Sequence, residues 1–406
     1  MRSSIEIKDS SVIKTFLLTV QPARPGKIFL GSKQTGRYLL VDEHWRSLVK
    51  LLHESETTVD DLAKKLIETD PTNFHPEKTL TQLKIMLLHM SQNRLVAKID
   101  GKVLYRGRNQ VPNYLDRLIR RATDYIGSPF FVLTDLIFTV IFLAVLLFFT
   151  DLFPKSSDFF WSSYLSLSIF TAFVFTWAST FIHEAAHLLI GRAFGIRGGL
   201  RLSNMLNFLV VETSFPDIYS IKKSGRIAIY LSGMVIDMLL ILFFYSLIHE
   251  NGHYHFLTDA KIGILKQFVL IEWLSILWEF FFYMKTDVYF VIKEILGIEN
   301  LYTYAKQKIV SKLTFKKINF PLNKRENRVV NIYMIFMIMG TLVGILRYFF
   351  YHVPIILAIV FNSIEKIYMG IATNDLILFF DGMVVAVIEL ILTSLLIISL
   401  LRKRRA

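Results

Sequence analysis

A histidine, a glutamate and a second histidine lie within one of the most hydrophobic stretches of this 406-residue chain. The stretch reads TWASTFIHEAAHLLIGRAFG over residues 176–195, and it places His183 four residues before His187. On a helix this spacing puts both imidazoles on one face, where they can bind one metal ion, with Glu184 about 100 degrees around the helix. A zinc ion held in this way increases the acidity of water, and a neighbouring glutamate can act as the general base. The motif therefore predicts zinc-assisted hydrolysis of an amide bond, with Glu184 as the base.

A third metal ligand is expected outside the motif, because catalytic zinc usually takes three protein ligands. Asp287, in YMKTDVYFVIKEILG, and Asp237, in LSGMVIDMLLI, are the two candidates. Glu279 precedes Asp287 by roughly one to two helical turns and is a candidate partner for it. Asp287 could instead cap a helix, and Asp237 could form a hydrogen bond between helices. The residues alone leave these alternatives open.

The composition is that of a membrane protein. Hydrophobic residues make up 53% of the chain and aromatic residues 14%, and the mean hydropathy is +0.46. Several apolar runs approach or exceed the roughly 20 residues that cross a bilayer as a helix. The absence of cysteine excludes disulfides, thiolate zinc sites and thiol nucleophiles. We therefore expect a mainly α fold, a polytopic helical bundle in the cell membrane, preceded by an N-terminal α+β domain.

Six membrane spans are predicted from the apolar runs. They are Phe130–Phe153, Leu165–Ile190, Ile227–Ile248, Ile264–Tyr283, Val330–Phe350 and Leu376–Leu401. The apolar but interrupted segment Val353–Gly370 is either a further membrane segment or a re-entrant or interfacial piece. Lys and Arg are concentrated after the second and fourth spans and in the C-terminal tail. This distribution predicts that both termini are cytoplasmic and that His183 and His187 lie near the cytoplasmic end of the second span.

The N-terminal part of the chain has no spanning segment and is predicted to form a separate cytosolic domain, residues 1–108. Two strands, KIFLGS and RYLLVD, precede three helices and a hairpin that turns at Asp100 and Gly101. This order of elements is similar to a winged helix. The rest of the chain is predicted to comprise a basic linker 109–127, a metalloprotease membrane core 128–290, a basic cytoplasmic loop 291–329 and C-terminal membrane helices 330–406. No basic recognition helix is evident, so nucleic acid is not expected as a partner.

The segments HEAAHLLIGRAFG, RIAIYLSGMVIDMLLI and FYMKTDVYFVIKEILGIENL resemble the site-2 protease family of intramembrane zinc metalloproteases, in particular its peptide zinc metalloprotease branch. The similarity extends over about residues 125–350. It implies a zinc endopeptidase in which His183, His187 and Asp287 bind Zn2+ and Glu184 is the catalytic base. The cofactor implied is Zn2+, and the partners implied are a peptide precursor and the lipid bilayer.

The same resemblance implies roles for residues around the metal. The stretch with Gly233 and Asp237 corresponds to the family's pattern in the helix after the metal-binding helix, and Glu279 stands upstream of Asp287 where the family has Asn. The chain departs from the family at Met234 (Pro in the family), Asp237 (Asn), Phe282 (Pro) and Val288 (Gly). These departures leave the implied ligands intact, and they motivate a second interpretation: a non-proteolytic membrane protein for peptide export or immunity.

The N-terminal order of elements resembles the PqqD-like modules that bind leader segments of ribosomally made, modified peptides. This resemblance implies that an extended leader adds a strand to a sheet edge. It also implies maturation or export of such a peptide as the biological role, with a peptide-modifying enzyme and an ABC exporter as partners. The alternative is a cytosolic regulatory domain.

Overall fold

The computed structural model describes residues 7–24, 26–54, 57–105, 153–205, 208–298, 300–315 and 322–405. The basic linker 109–127 and all but the last residue of the predicted span Phe130–Phe153 lie outside the described residues. The chain forms two compact units. The first comprises Met1–Pro129, Leu188–Gly199 and Ser214–Ala228, and the second comprises Phe130–His187, Leu200–Thr213 and Ile229–Ala406.

The N-terminal part of the first unit contains two small antiparallel sheets and three helices. The strands are β1 Val12–Thr15, β2 Thr19–Arg24, β3 Lys27–Ser32, β4 Arg37–Asp42, β5 Thr57–Thr58, β6 Val96–Ile99 and β7 Lys102–Val103. The helices are α1 Arg46–Glu54, α2 Val59–Thr69 and α3 Pro76–Gln92. One sheet has the strand order β5-β1-β6-β7 and the other β2-β3-β4. The predicted strands, helices and hairpin of this region are confirmed, and β1, β2 and β5 are additional.

Local sequence chemistry explains the ends of these elements. Asp100 and Gly101, between β6 and β7, have φ values of 50° and 73°, the left-handed conformation that a two-residue hairpin turn requires. Thr58 is the N-cap of α2, and its Oγ1 accepts a hydrogen bond of 3.2 Å from the backbone N of Asp61. The three helices bury their apolar faces in one core that includes Leu48, Leu62 and Leu87.

The remainder of the described chain is mainly helical. Its helices are α4 Leu165–Ala193, α5 Lys223–Tyr254, α6 Asp259–Glu279, α7 Asp287–Leu296, α8 Leu301–Leu313, α9 Lys324–Arg347, α10 Val353–Thr373 and α11 Leu376–Arg405. Between α4 and α5 the strands β8 Gly199–Met205 and β9 Phe208–Ser214 form a two-stranded sheet. The predicted basic loop 291–329 is therefore largely helical where it is described, because α7, α8 and the start of α9 occupy it.

Three helical runs within the described residues are long and apolar enough to cross a membrane: Leu165–Ala193, Lys223–Gly252 and Lys324–Ala372. The first two contain the predicted second and third spans. The third contains the predicted fifth span and also the interrupted segment Val353–Gly370, because α9 continues through a π-helical turn, Tyr348–His352, into α10. The full set of six spans is not confirmed.

The predicted fourth span, Ile264–Tyr283, differs most from its prediction. Helix α6 covers it only as far as Glu279, and residues 280–286 form a turn before α7. Lys266 and Glu272 interrupt the apolar run of α6, which is not among the three membrane-crossing candidates. Periodicity and hydropathy do not reveal where the helix ends, because the aromatic residues after Glu279 are as apolar as the helix itself.

The turn at residues 280–286 is held by α9. Tyr333, on α9, is completely buried, and its hydroxyl donates a hydrogen bond of 2.9 Å to the carbonyl oxygen of Phe282. Gly340 lies against the turn so closely that a Cβ at this position would be 2.5 Å from the backbone N of Phe282. This packing fixes the start of α7, and therefore the position of Asp287.

Candidate metal centre

His183 and His187 lie on one face of α4, and both are buried, with exposed fractions of 7% and 4%. In each ring Nδ1 has a partner. Nδ1 of His183 is 2.9 Å from Oδ2 of Asp237, and Nδ1 of His187 is 2.7 Å from the carbonyl oxygen of Ile229. Because a carboxylate and a carbonyl can only accept, these contacts place the proton on Nδ1 of both rings. Each Nε2 is then a free lone-pair donor for a metal ion.

Asp287 lies close to both of these Nε2 atoms. Its Oδ2 is 2.9 Å from Nε2 of His187 and 3.3 Å from Nε2 of His183. Two ligand atoms bonded to one tetrahedral ion at about 2.0–2.1 Å lie about 3.3 Å apart, so these separations suit a shared ion. Nε2 of His187 is buried, and its contact with Asp287 does not have the geometry of a hydrogen bond, which suits two atoms that bind one cation. The three side chains therefore could hold a metal ion.

Asp237, the other candidate for the third ligand, lies on a different side of the His183 ring from Asp287. It lies on the Nδ1 side of the His183 ring, where it is 1% exposed, and its Oδ2 also accepts a hydrogen bond of 3.3 Å from the hydroxyl of Ser275. A carboxylate in this position orients the imidazole and increases its basicity toward a metal. The geometry thus groups Asp287, and not Asp237, with the two Nε2 atoms that could hold a metal ion.

Glu184, next to His183 on α4, is also buried. Its Oε2 accepts a hydrogen bond of 2.5 Å from the hydroxyl of Thr213, on β9. This bond fixes one oxygen of the carboxylate. Thr213 had no signal in the sequence, because its contact with Glu184 depends on the return of β9 along α4.

Glu279 acts on Asp287 through the backbone. Its Oε2 accepts a hydrogen bond of 2.9 Å from the backbone N of Asp287, and its carbonyl oxygen accepts one of 2.7 Å from the hydroxyl of Thr286. These two bonds close the turn between α6 and α7, so the last residue of one helix holds the first residue of the next. The sequence prediction that Glu279 is a partner of Asp287 agrees with this contact.

Gly233, on α5, provides the space for His183. A Cβ at residue 233 would lie 2.2 Å from Nε2 of His183, so no larger residue fits while the ring keeps its position. Met234 and Val288, two of the departures from the family pattern, pack in one hydrophobic cluster beside the metal ligands. Phe282 is buried and packs edge-on against Phe336. These larger residues fill the protein interior, and none of them occupies a ligand position.

Several polar residues of the centre were missed by sequence reasoning. Ser232 is 3.1 Å from Nδ1 of His187, and Ser275 bonds Asp237 as described above. Glu272, on α6, is completely buried, with Asp237 and Ser179 as polar neighbours. Its position inside an apolar helix was the available signal, because a buried carboxyl in such a helix usually has a functional partner. The centre thus brings together more carboxyl groups than imidazoles.

A cavity of about 560 Å³ opens onto the centre. Its polar lining includes His183, Glu184 and Glu279, and α4, β9, α6 and the run from α9 to α10 all contribute to its walls. Most of the remaining lining is apolar or carries small hydroxyl groups.

No model of a known protein family matches this chain, and comparisons with curated proteins and with solved structures also gave no match.

Proposed function

We propose that the protein is an intramembrane zinc endopeptidase that hydrolyses a peptide bond in a membrane-associated or precursor peptide. One observation supports this function above all others. Two imidazole Nε2 atoms and the Asp287 carboxylate converge beside Glu184 at a cavity, and the two histidines lie on a helix apolar enough to cross a membrane. Ionisable residues in such helices are costly and usually mark a functional site.

The donor set supports zinc as the metal. Two imidazole nitrogens and one carboxylate oxygen are a common ligand set of catalytic zinc, which keeps a fourth position open. The separations of 2.9 and 3.3 Å suit tetrahedral geometry, whereas Mg2+ and Ca2+ prefer more ligands that are all oxygen. Bound zinc supplies Lewis acidity and increases the acidity of water.

The protein's own groups perform the proton transfers. Glu184 accepts the proton of the attacking water and then delivers it to the nitrogen of the leaving amine. Thr213 holds the carboxylate toward the reacting atoms, and Asp237 keeps the His183 ring in the tautomer that presents Nε2. Most of the cavity lining is apolar, and such surroundings strengthen these electrostatic interactions.

Substrate delivery is proposed from the N-terminal elements. The short strand β7 lies at one edge of its sheet, where an extended leader peptide can add a strand. The positively charged segments support a multi-pass protein of the cell membrane with cytoplasmic termini. The sheet edge supports a role in the maturation or export of a modified peptide. A peptide-modifying enzyme and an ABC exporter are the partners this role implies.

The test of the function is a Glu184→Gln substitution in the full-length protein. Membranes from cells that make either form are incubated with zinc, and released peptides are quantified by mass spectrometry. We expect peptides generated by the wild type to decrease roughly 10²- to 10⁴-fold, because general-base catalysis contributes about that factor. Glu250→Gln is the matched control, since Glu250 is exposed at the end of α5, and it should leave these peptides unchanged.

Zinc content separates this function from the alternative. The Glu184→Gln variant should bind as much zinc as the wild type, because Glu184 is not a ligand. Unchanged peptide release in Glu184→Gln would refute the assignment of the catalytic base. A wild type that binds no zinc and releases no peptides would favour the non-proteolytic role in peptide export or immunity.

A further inference from the structure

Arg347 is a charged residue in the middle of the apolar helical run Lys324–Ala372. Its side chain lines the cavity that also contains His183 and Glu184. A guanidinium cannot lose its charge in a protein, so its burial in an apolar environment needs compensation. Arg347 has no place in the metal centre or in the proton transfers described above.

Two aromatic rings lie beside this guanidinium. Its central carbon is 5.7 Å from the ring centroid of Trp278 and 5.4 Å from that of Phe281. Cation–π contacts attract the charge of the group but accept no hydrogen bond from its N–H donors in the way that a carboxylate does. Nε of Arg347 is buried without a hydrogen-bond partner, and no carboxylate among the described residues pairs with the group. The two rings therefore leave at least the Nε donor of this guanidinium unmatched.

A second unmatched group lies nearby on the same helical run. His352 closes the π-helical turn Tyr348–His352 and lines the same cavity, and its Nδ1 is buried without a hydrogen-bond partner. Turns of this type occur often at functional sites. Arg347 and His352 thus line one cavity from successive turns of the run.

The carboxylates in the cavity wall are engaged elsewhere. Glu184 accepts a hydrogen bond from Thr213, and Glu279 accepts one from the backbone of Asp287. The wall therefore contains a cationic group that its own carboxylates do not neutralise, and an anionic ligand would match it.

We propose that Arg347, with His352 beside it, binds a carboxylate of the peptide substrate, either an acidic side chain or the C-terminal group. The proposal rests on the proposed peptidase function. A carboxylate can accept two parallel hydrogen bonds from a guanidinium, and Trp278 and Phe281 hold that guanidinium in one orientation. The ligand's charge also offsets that of the buried arginine.

The size of the cavity limits where this carboxylate lies in the substrate. Its lining residues on α4 extend from Ala172 to Glu184, which is about 18 Å of helix. An extended peptide covers about 3.3 Å per residue, so about five residues fit along this wall. The carboxylate is therefore expected within about five residues of the bond that is cut.

The test measures peptide binding without cleavage. Full-length protein with the Glu184→Gln substitution is reconstituted in lipid nanodiscs with zinc and mixed with synthetic apolar octapeptides. One position carries Glu, Gln or Lys, the other positions are randomised among Ala, Leu, Val and Phe, and each set is made with a free and with an amidated C-terminus. Peptides retained by the protein are quantified by mass spectrometry.

At one particular position of the octapeptide, we expect peptides with Glu to be retained roughly tenfold to a hundredfold better than peptides with Gln. Arg347→Gln should abolish this preference, and Arg347→Glu should shift it toward Lys peptides. A preference for the free over the amidated terminus, without a preference for Glu, would identify the C-terminal carboxylate as the ligand. Equal retention of all sets by the protein that keeps Arg347, or a preference that survives Arg347→Gln, would overturn the proposal.

Matched controls keep the result independent of folding and of the proposed catalysis. Arg328→Gln removes an exposed positive charge from the same helix and should leave the preference intact. Arg347→Lys keeps the charge but not the planar fork, so it should weaken the preference without abolishing it. Zinc content and thermal unfolding show that each variant is folded. Because binding is measured in the Glu184→Gln background, absence of cleavage in the wild type would refute the peptidase function without affecting this test.

Discussion

At the scale of single residues, the two aspartates near His183 have separate tasks. Oδ2 of Asp237 contacts Nδ1 of the ring, and Oδ2 of Asp287 faces Nε2. One imidazole thus lies between two carboxylates, one at each ring nitrogen. This division predicts unequal effects when each aspartate is removed.

The first residue-scale prediction compares Asp287→Ala with Asp237→Ala. Loss of an orienting carboxylate typically weakens metal binding roughly 10- to 100-fold. Loss of Asp287 should cost more, because it removes a ligand and the only negative charge in the ligand set. Zinc affinity is measured by competition with a chelator, and Asp259→Ala, an exposed residue at the start of α6, is the control. A larger loss for Asp237→Ala would make Asp237 the ligand.

The second residue-scale prediction concerns space. Gly233→Ala would place a Cβ at 2.2 Å from Nε2 of His183, so the ring must move away from Asp287. We expect zinc affinity and peptide release to decrease together. Gly252→Ala lies on the same helix with no atom within 4 Å of the added Cβ, and it should change neither. Normal zinc binding in Gly233→Ala would show that the ring position is not needed.

At the scale of elements, the centre depends on how α9 holds the turn between α6 and α7. The turn places Asp287 opposite α4, and it is held by the hydroxyl of Tyr333 and by the close approach of Gly340. A strained contact introduced on α9 should therefore weaken metal binding, although α9 contributes no ligand.

This coupling is tested by Gly340→Ala. The new Cβ would be 2.5 Å from the backbone N of Phe282 and 2.7 Å from the carbonyl oxygen of Phe280, and backbone cannot move aside easily. We expect a loss of about 1–3 kcal/mol in stability, as in other overpacked interiors, together with weaker zinc binding. Gly344→Ala is the control, because its nearest neighbour is the Tyr283 hydroxyl at 3.1 Å, the end of a side chain. Thermal unfolding and zinc titration measure both effects, and equal behaviour of the two variants would contradict the coupling.

At the scale of the whole molecule, the charged segments predict the orientation in the membrane. The chain has no cysteine, so single cysteines report topology without background. Tyr254, at the end of α5, is 74% exposed and is predicted outside, and Lys312, in the basic region around α8, is predicted in the cytoplasm. In intact cells a membrane-impermeant maleimide should label Tyr254→Cys, and it should label Lys312→Cys only after permeabilisation. Labelling of Lys312→Cys in intact cells would reverse the orientation.

The sequence by itself determined what depends on local spacing. The four-residue separation of His183 and His187 places both on one helix face whatever surrounds the helix. Hydropathy located α4 and α5, and turn chemistry located the hairpin at Asp100 and Gly101. These features follow from backbone geometry and from the solvent, so neighbouring residues suffice to predict them.

Only the tertiary structure decided the rest. Asp237 and Asp287 stand 54 and 104 residues after His183, and each reaches one of its ring nitrogens through helix packing and the turn that ends α6. Thr213 beside Glu184 and Arg347 in the cavity wall also depend on contacts between distant segments. The packing of whole elements determines which polar groups come into contact. The spacing of residues within one element does not predict these contacts.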